Sequence, residues 1–191
     1  MSGIKKGQFT VTSSKTIYKN PWIEVTEDSV IRPEGDRGIF GTVDMKDGVA
    51  ILPLFSDGMV LLAREYKYAQ DAEMIEIIGG GIDEGEAPEQ AAARELAEEA
   101  GIGAGHFKSI GVTDPFTTLV RTRDHLIIAT ELYELAARPP ADDMVEPFNV
   151  SLNTAVEYVL NGSITHTTSC LLILRAAFEY PQYVNAKVAG L

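Results

Sequence analysis

The stretch Gly80–Ile102, GGIDEGEAPEQAAARELAEEAGI, decides how this chain is read. Pro88 fits the first position of a helix, where a missing N–H costs nothing, the alanine-rich run carries the helix forward, and Gly101 suits the position just past its end. Glu95, Glu98 and Glu99 then fall at i, i+3 and i+4 on one helix face. Three like charges so close repel one another unless a cation lies between them. Acidic groups at a helix C-terminus also oppose the macrodipole, at about 0.3–1 kcal/mol per charge, so helix stability does not explain them. Arg94 sits within reach of Glu86, which would brace the site without binding metal. Gly79-Gly80-Gly81 precedes the helix across a short loop, and a glycine backbone can approach an ion closely. Carboxylate and carbonyl oxygens are hard ligands that select Mg²⁺ or Mn²⁺.

The same run matches G-x5-E-x7-R-E-U-x-E-E-x-G-U, with U aliphatic, at every fixed position from Gly80 to Ile102. It therefore resembles the signature of the Nudix hydrolases, which cleave a nucleoside diphosphate linked to another group with water attacking phosphorus. The resemblance implies an α/β fold, an α/β/α sandwich with a mixed β-sheet. It makes Glu95, Glu98, Glu99 and the Gly79 carbonyl the metal ligands, with Glu86 and Arg94 as a supporting pair.

Composition agrees with one enzyme domain plus an extra element, since 191 residues with 45% hydrophobic content support one sizeable core. A formal net charge of −12 argues against a nucleic-acid partner. The same acidity repels an anionic substrate, so metal and local basic residues must invert the field at the site. Cys170 is the only cysteine and rules out an intramolecular disulfide. No signal-peptide core and no membrane-length apolar run is present, which makes a cytoplasmic location the expectation.

Alternation predicts a strand over Trp22–Ile31, closed by the turn Arg32-Pro33-Glu34-Gly35. Val49–Leu54 and Met59–Arg64 read as a hairpin around Ser56-Asp57-Gly58. Further strands are expected at Phe107–Val112 and His125–Leu132, and helices at Leu152–Asn161 and Thr167–Tyr180.

Upstream of the signature, LLAREYKYAQDAEMIEIIGGGIDEGE is similar to the ADP-ribose and nucleotide-sugar pyrophosphatase branch of the family, with Arg64, Tyr66, Lys67 and Glu76 in corresponding places. Lys67 stands where arginine is common, and Ile78 replaces the usual proline. Arg64 and Lys67 are candidate diphosphate contacts, because a guanidinium and an ammonium offset substrate charge. The piece NPWIEVTEDSVIRPEG also resembles that branch, and so does NGSITHTTSCLLILRAA near the C-terminus. The resemblance implies an N-terminal β element over residues 1–40 that dimerises, a hydrolase domain over 41–191, and a homodimer. Trp22 is then a candidate for stacking on a nucleobase, against the alternative of packing.

The substrate implied is ADP-ribose or a related nucleotide sugar such as GDP-mannose. Other nucleoside diphosphate derivatives (dinucleoside polyphosphates, NADH, coenzyme A, nucleoside triphosphates) and a binding regulator without catalysis stand as alternatives. Asp114-Pro115-Phe116 lies a few residues short of the place where ADP-ribose hydrolases carry a proline. Arg121 and Arg123 make the segment before HLIIAT basic, and Arg123 is a candidate substrate contact. The catalytic base is open between Glu146, in the segment Asp142-Asp143-Met144-Val145-Glu146, Asp124, and a signature glutamate. His106, His125 and His166 are too scattered in sequence to suggest a metal site and read as surface or strand residues.

Overall fold

A computed structural model describes residues 3–136 and 144–185; Asp142 and Asp143 of the acidic segment lie outside them. The strands are β1 (Ile4–Lys6), β2 (Phe9–Lys19), β3 (Ile23–Ile31), β4 (Arg37–Met45), β5 (Gly48–Pro53), β6 (Met59–Lys67), β7 (Ala72–Glu76), β8 (Ile78–Gly81), β9 (Ile102–Thr113), β10 (Val120–Arg121), β11 (Asp124–Glu134) and β12 (Val145–Ser151). The helices are α1 (Pro88–Glu95), α2 (Leu152–Leu160) and α3 (Thr167–Glu179). They form two compact units: Met1–Lys46 with Asp114–Arg123, and Asp47–Thr113 with Asp124–Leu191.

The first unit is one sheet in the order β1-β2-β3-β4-β10, antiparallel except for the short parallel pair β4 and β10. Phe9 meets the edge of Phe40 at 5.0 Å between ring centres. Residue 40, where the sequence suggested a division, lies inside β4.

In the second unit a mixed sheet runs β8-β5-β11-β9, with β5 parallel to β11 and antiparallel to β8. Its two central strands, GVAILP and HLIIA, are near-continuous apolar runs, the pattern of strands buried on both faces. Alternation sorts them. Ala50, Leu52, Leu126 and Ile128 join α2 and α3 in one core, through Ala155, Val156, Leu172 and Ile173. Val49, Ile51, Ile127 and Ala129 join α1 and the turn that follows it in the other, through Ala91, Ala92 and Leu96. The sheet thus lies between helices, an α/β sandwich. A second, antiparallel sheet, β12-β6-β7, feeds Val60 and Leu62 to the first core and Leu61 and Ala63 to the second.

The expected hairpin of β5 and β6 does not form. Both strands exist, but both edges of β5 are taken by β8 and β11, and β6 inserts between β12 and β7. The bridge between Leu54 and Val60 and the bond from the Phe55 N–H to the Met59 carbonyl join them near the Ser56-Asp57-Gly58 turn. Among the described residues no helix is long and apolar enough to cross a membrane.

Ile127 is fully buried between α1 and the sheet, whereas Ile39 is 62% exposed. Ile127→Ala should lower stability by about 2–5 kcal/mol in urea titrations, and Ile39→Ala by less than about 0.5 kcal/mol.

Candidate active site

The site grows from the junction of β8 and α1. Pro88 opens α1, and the Gln90 side chain accepts the Ala87 N–H at 2.9 Å, satisfying one donor at the helix start. Ala91 and Ala92 are fully buried, so the helix approaches the sheet closely. That approach lays the Glu95 carboxylate directly over Gly80, where a Cβ would lie 2.2 Å from Glu95 Oε1. Any side chain at position 80 would push that carboxylate aside.

After Glu95 the helix departs from the plain α-helical continuation expected. Leu96–Ala100 widen into one π-helical turn, ended by Gly101 at φ 67°, whose N–H donates to the Ala97 and Leu96 carbonyls. The extra residue in that turn keeps Leu96 in the core while re-aiming the glutamates that follow, a feature frequent at functional sites.

Arg94 organises the cluster. Nε donates to Glu86 Oε1 at 3.0 Å and Nη2 to Glu86 Oε2 at 3.1 Å, a two-pronged pair. Nη2 also donates to the Gly81 carbonyl at 2.8 Å, and Nη1 to Glu95 Oε1 at 2.6 Å and Glu98 Oε2 at 3.2 Å. All five guanidinium N–H groups are therefore engaged. Hydrogen bonding to Glu86, reinforced by Glu95, raises the guanidinium's hold on its proton although burial opposes it. Glu86 is further fixed by the Asp83 N–H at 3.0 Å.

Glu95 is buried, and that burial first raises its carboxyl above the ordinary range, against the bond from Arg94. Glu99 is perturbed further: burial, then the charge of Glu95, pushes it up to about 8, while Lys67 and the Gly79 N–H work in the opposite sense. Among the described residues no three His, Cys, Asp or Glu side chains converge as a ready cage for a cation. Glu95 and Glu98 each turn an oxygen to Arg94 Nη1 instead.

Beside Glu99 the second sheet brings its own charges. Ala63, Glu65 and Lys67 alternate onto one face of β6, and Glu76, opposite Ala63 on β7, shares it. Lys67 bonds closely to Glu65 and lies 3.6 Å from Glu76 Oε2. Burial opposes its charge, but Glu65, Glu76 and Glu99 together raise its pKa. Arg64 lies on the opposite face, 5.1 Å over the Phe148 ring and 3.4 Å from Glu146. The fold therefore gathers Gly79, Glu86, Arg94, Glu95, Glu98, Glu99, Lys67 and Glu76, and places Arg64 with Glu146 on the far face of β6. Asp124 is tied to the Thr168 hydroxyl at 2.6 Å. Trp22 and Arg123 belong to the first unit: Trp22 is 72% exposed, its backbone N–H donating to Asn20 Oδ1 at 2.8 Å, and Arg123 lies 3.7 Å from Asp114.

The sequence reading missed Glu65 and His166. Glu65 was legible, since two residues apart on a strand means one face with Lys67. His166 was not: it stands at the N-cap position of α3 rather than on a strand, its side chain part-exposed as a surface residue's would be, 3.4 Å from Glu76 Oε2 and 2.9 Å from Ser169 Oγ.

Residues 44–162 match the NUDIX domain model. The chain belongs to the Nudix family. Residues 9–43 match the nucleoside diphosphate sugar hydrolase N-terminal domain. This Nudix hydrolase is 27% identical over 152 residues to an ADP-ribose pyrophosphatase of Bacillus subtilis (strain 168), covering 77% of this chain and 80% of the relative. It is 30% identical over 126 residues to an ADP compounds hydrolase of Escherichia coli (strain K12), covering 65% and 67%. A crystal structure of an ADP compounds hydrolase superposes with a TM-score of 0.79 at 17% identity, covering 94% of this chain and 97% of the other, which shows the shared fold.

Glu99 sets a pH dependence. Its folded value, about 8, exceeds the ordinary 4.5, so the folded state keeps a proton that the unfolded chain releases. In the presence of chelator, stability should fall as pH rises between about 5 and about 8. Urea midpoints across that range should slope downward for the unmodified chain and flatten for Glu99→Gln.

Proposed function

We propose that this Nudix hydrolase cleaves the diphosphate bond of ADP-ribose or a related nucleotide sugar, GDP-mannose included, giving a nucleoside monophosphate and a sugar phosphate. It would act as a cytoplasmic homodimer through its N-terminal β element, with the hydrolase domain following. The observation that carries the reaction is Glu99, a part-buried carboxylate pushed up to about 8 beside the buried Glu95. Carboxylates held so far out of water in one another's fields suit a divalent cation better than protons. The match of residues 9–43 to the nucleoside diphosphate sugar hydrolase N-terminal domain, and relatives named for ADP-ribose and ADP compounds, support the substrate class.

The donor set fits Mg²⁺ or Mn²⁺: Glu95, Glu98, Glu99 and the Gly79 carbonyl offer only hard oxygens. When bound, the ion would polarise the diphosphate and acidify a water. The chain's own residues do the rest. Arg94 and Glu86 hold the loop and the glutamate turn in one geometry. Lys67, positive beside Glu99, offsets phosphate charge in an otherwise acidic site, and Glu76 helps seat it. The exposed indole of Trp22 suits stacking on a base, and Arg64 and Arg123 offer further cations for substrate. For the base that takes the water's proton, a signature glutamate is favoured. Asp124 is committed to Thr168, and Glu146 pairs with Arg64 on the other face of β6.

The test is nucleoside monophosphate release from a panel of ADP-ribose, GDP-mannose, UDP-glucose, NADH, diadenosine polyphosphates and nucleoside triphosphates. Turnover should concentrate on a nucleotide sugar and vanish with chelator. Glu98→Gln should cut kcat by about 10²-fold or more with an unchanged unfolding midpoint. Near-normal turnover of that variant would remove Glu98 from the proposed machinery.

A further inference from the structure

Lys67 carries its charge on a flexible four-carbon stem, and such an ammonium points usefully only if its surroundings choose its rotamer. Its close bond to Glu65, on the same strand, fixes one side. Glu76 Oε2, at 3.6 Å, draws on the other. That same oxygen faces His166 Nδ1 at 3.4 Å, so one carboxylate is shared between a lysine and a histidine nearly a hundred positions apart in sequence.

His166 is itself held. Its Nδ1 lies 2.9 Å from Ser169 Oγ, which accepts the Ile77 N–H at 3.1 Å. Thr168 anchors the same helix turn to Asp124 at 2.6 Å. Thr168 and Ser169 are fully or almost fully buried. The start of α3 is thereby bonded to β11 and to the link between β7 and β8, and the imidazole sits on a fixed platform. With its proton on Nδ1 the ring can donate toward Ser169 Oγ or toward Glu76 Oε2, both within 3.4 Å of that nitrogen.

From this chain of contacts we infer that His166 is a positioning residue for Lys67, acting through Glu76. With His166 in place, Glu76 is drawn to the imidazole as well as to Lys67, and the ammonium is poised between Glu65 and Glu76 beside Glu99. Without it, Glu76 turns wholly to Lys67 and locks the ammonium into a local ion pair, unavailable to a phosphate. The inference rests on the proposed role of Lys67 at a substrate diphosphate.

A double-mutant cycle tests it, using the full chain with Mg²⁺. Binding of the non-cleavable α,β-methylene analogue of ADP-ribose is followed by calorimetry, alongside kcat and KM for ADP-ribose. His166→Ala should weaken analogue binding about tenfold when Lys67 is present and less than about twofold in a Lys67→Ala background. His166→Asn, whose side-chain amide still donates to Glu76, should recover most of the loss, and KM should move more than kcat. Equal losses in both backgrounds, or a loss that asparagine leaves in place while the unfolding midpoint drops, would overturn the inference in favour of a purely structural histidine. An analogue that the unmodified chain does not bind would overturn it too, while turnover of another panel substrate would leave the hydrolase reading standing. If the analogue binds but ADP-ribose is not cleaved, the reaction proposed above fails and the cycle still decides the role of His166.

Discussion

The guanidinium of Arg94 is the constraint on which the rest of the site depends. Its five N–H groups reach Glu86 in the loop, the Gly81 carbonyl at the end of β8, and Glu95 and Glu98 at the helix end. No lysine could do this, because three donors on a point charge cannot span a loop, a strand and a helix at once. The surrounding features serve that reach. Ala91 and Ala92 let α1 close on the sheet, and Gly80 clears the space that the Glu95 carboxylate occupies. A single planar cation thus holds a loop, a strand end and a widened helical turn in one arrangement.

The acid balance around this hub divides the work between two cations. Arg94 neutralises the glutamates that face the loop, and Lys67 faces Glu99 from the neighbouring sheet. The cost of crowding falls on Glu99, because its partial burial and the charge of Glu95 outweigh the help of Lys67 and the Gly79 N–H. In a chain with a formal charge of −12 such local inversion is the means by which an anion could approach at all.

Much of this was legible in the sequence because it is local. Spacing alone put Pro88 at the helix start, Gly101 past its end, and Arg94 within reach of Glu86. The strands around Trp22–Ile31, Phe107–Val112 and His125–Leu132 and both C-terminal helices exist where the patterns placed them, within a few residues. What failed was pairing. A turn of the type Ser56-Asp57-Gly58 suggests a hairpin, but it cannot reveal that both edges of β5 are claimed from elsewhere. The widening after Glu95 was equally hidden, since the residues Leu96–Ala100 are ordinary helix formers and the turn answers to the core beneath Leu96. His166 could not be joined to Glu76 from sequence, because that contact exists only once α3 has docked.

The parallel pairing of β5 with β11 carries a consequence for how the molecule comes into being. On its parallel edge Ile51 pairs with Ile127, and everything between them, the glutamate helix included, is the loop that this pairing must close. Closure of so long a loop costs entropy before any contact repays it, which makes the step slow relative to forming α1 itself. On the ribosome the signature segment emerges well before β11 and α3. The nascent chain therefore carries its cluster of glutamates in water, chemically complete and functionally silent, until the last strands and helices arrive to bury it.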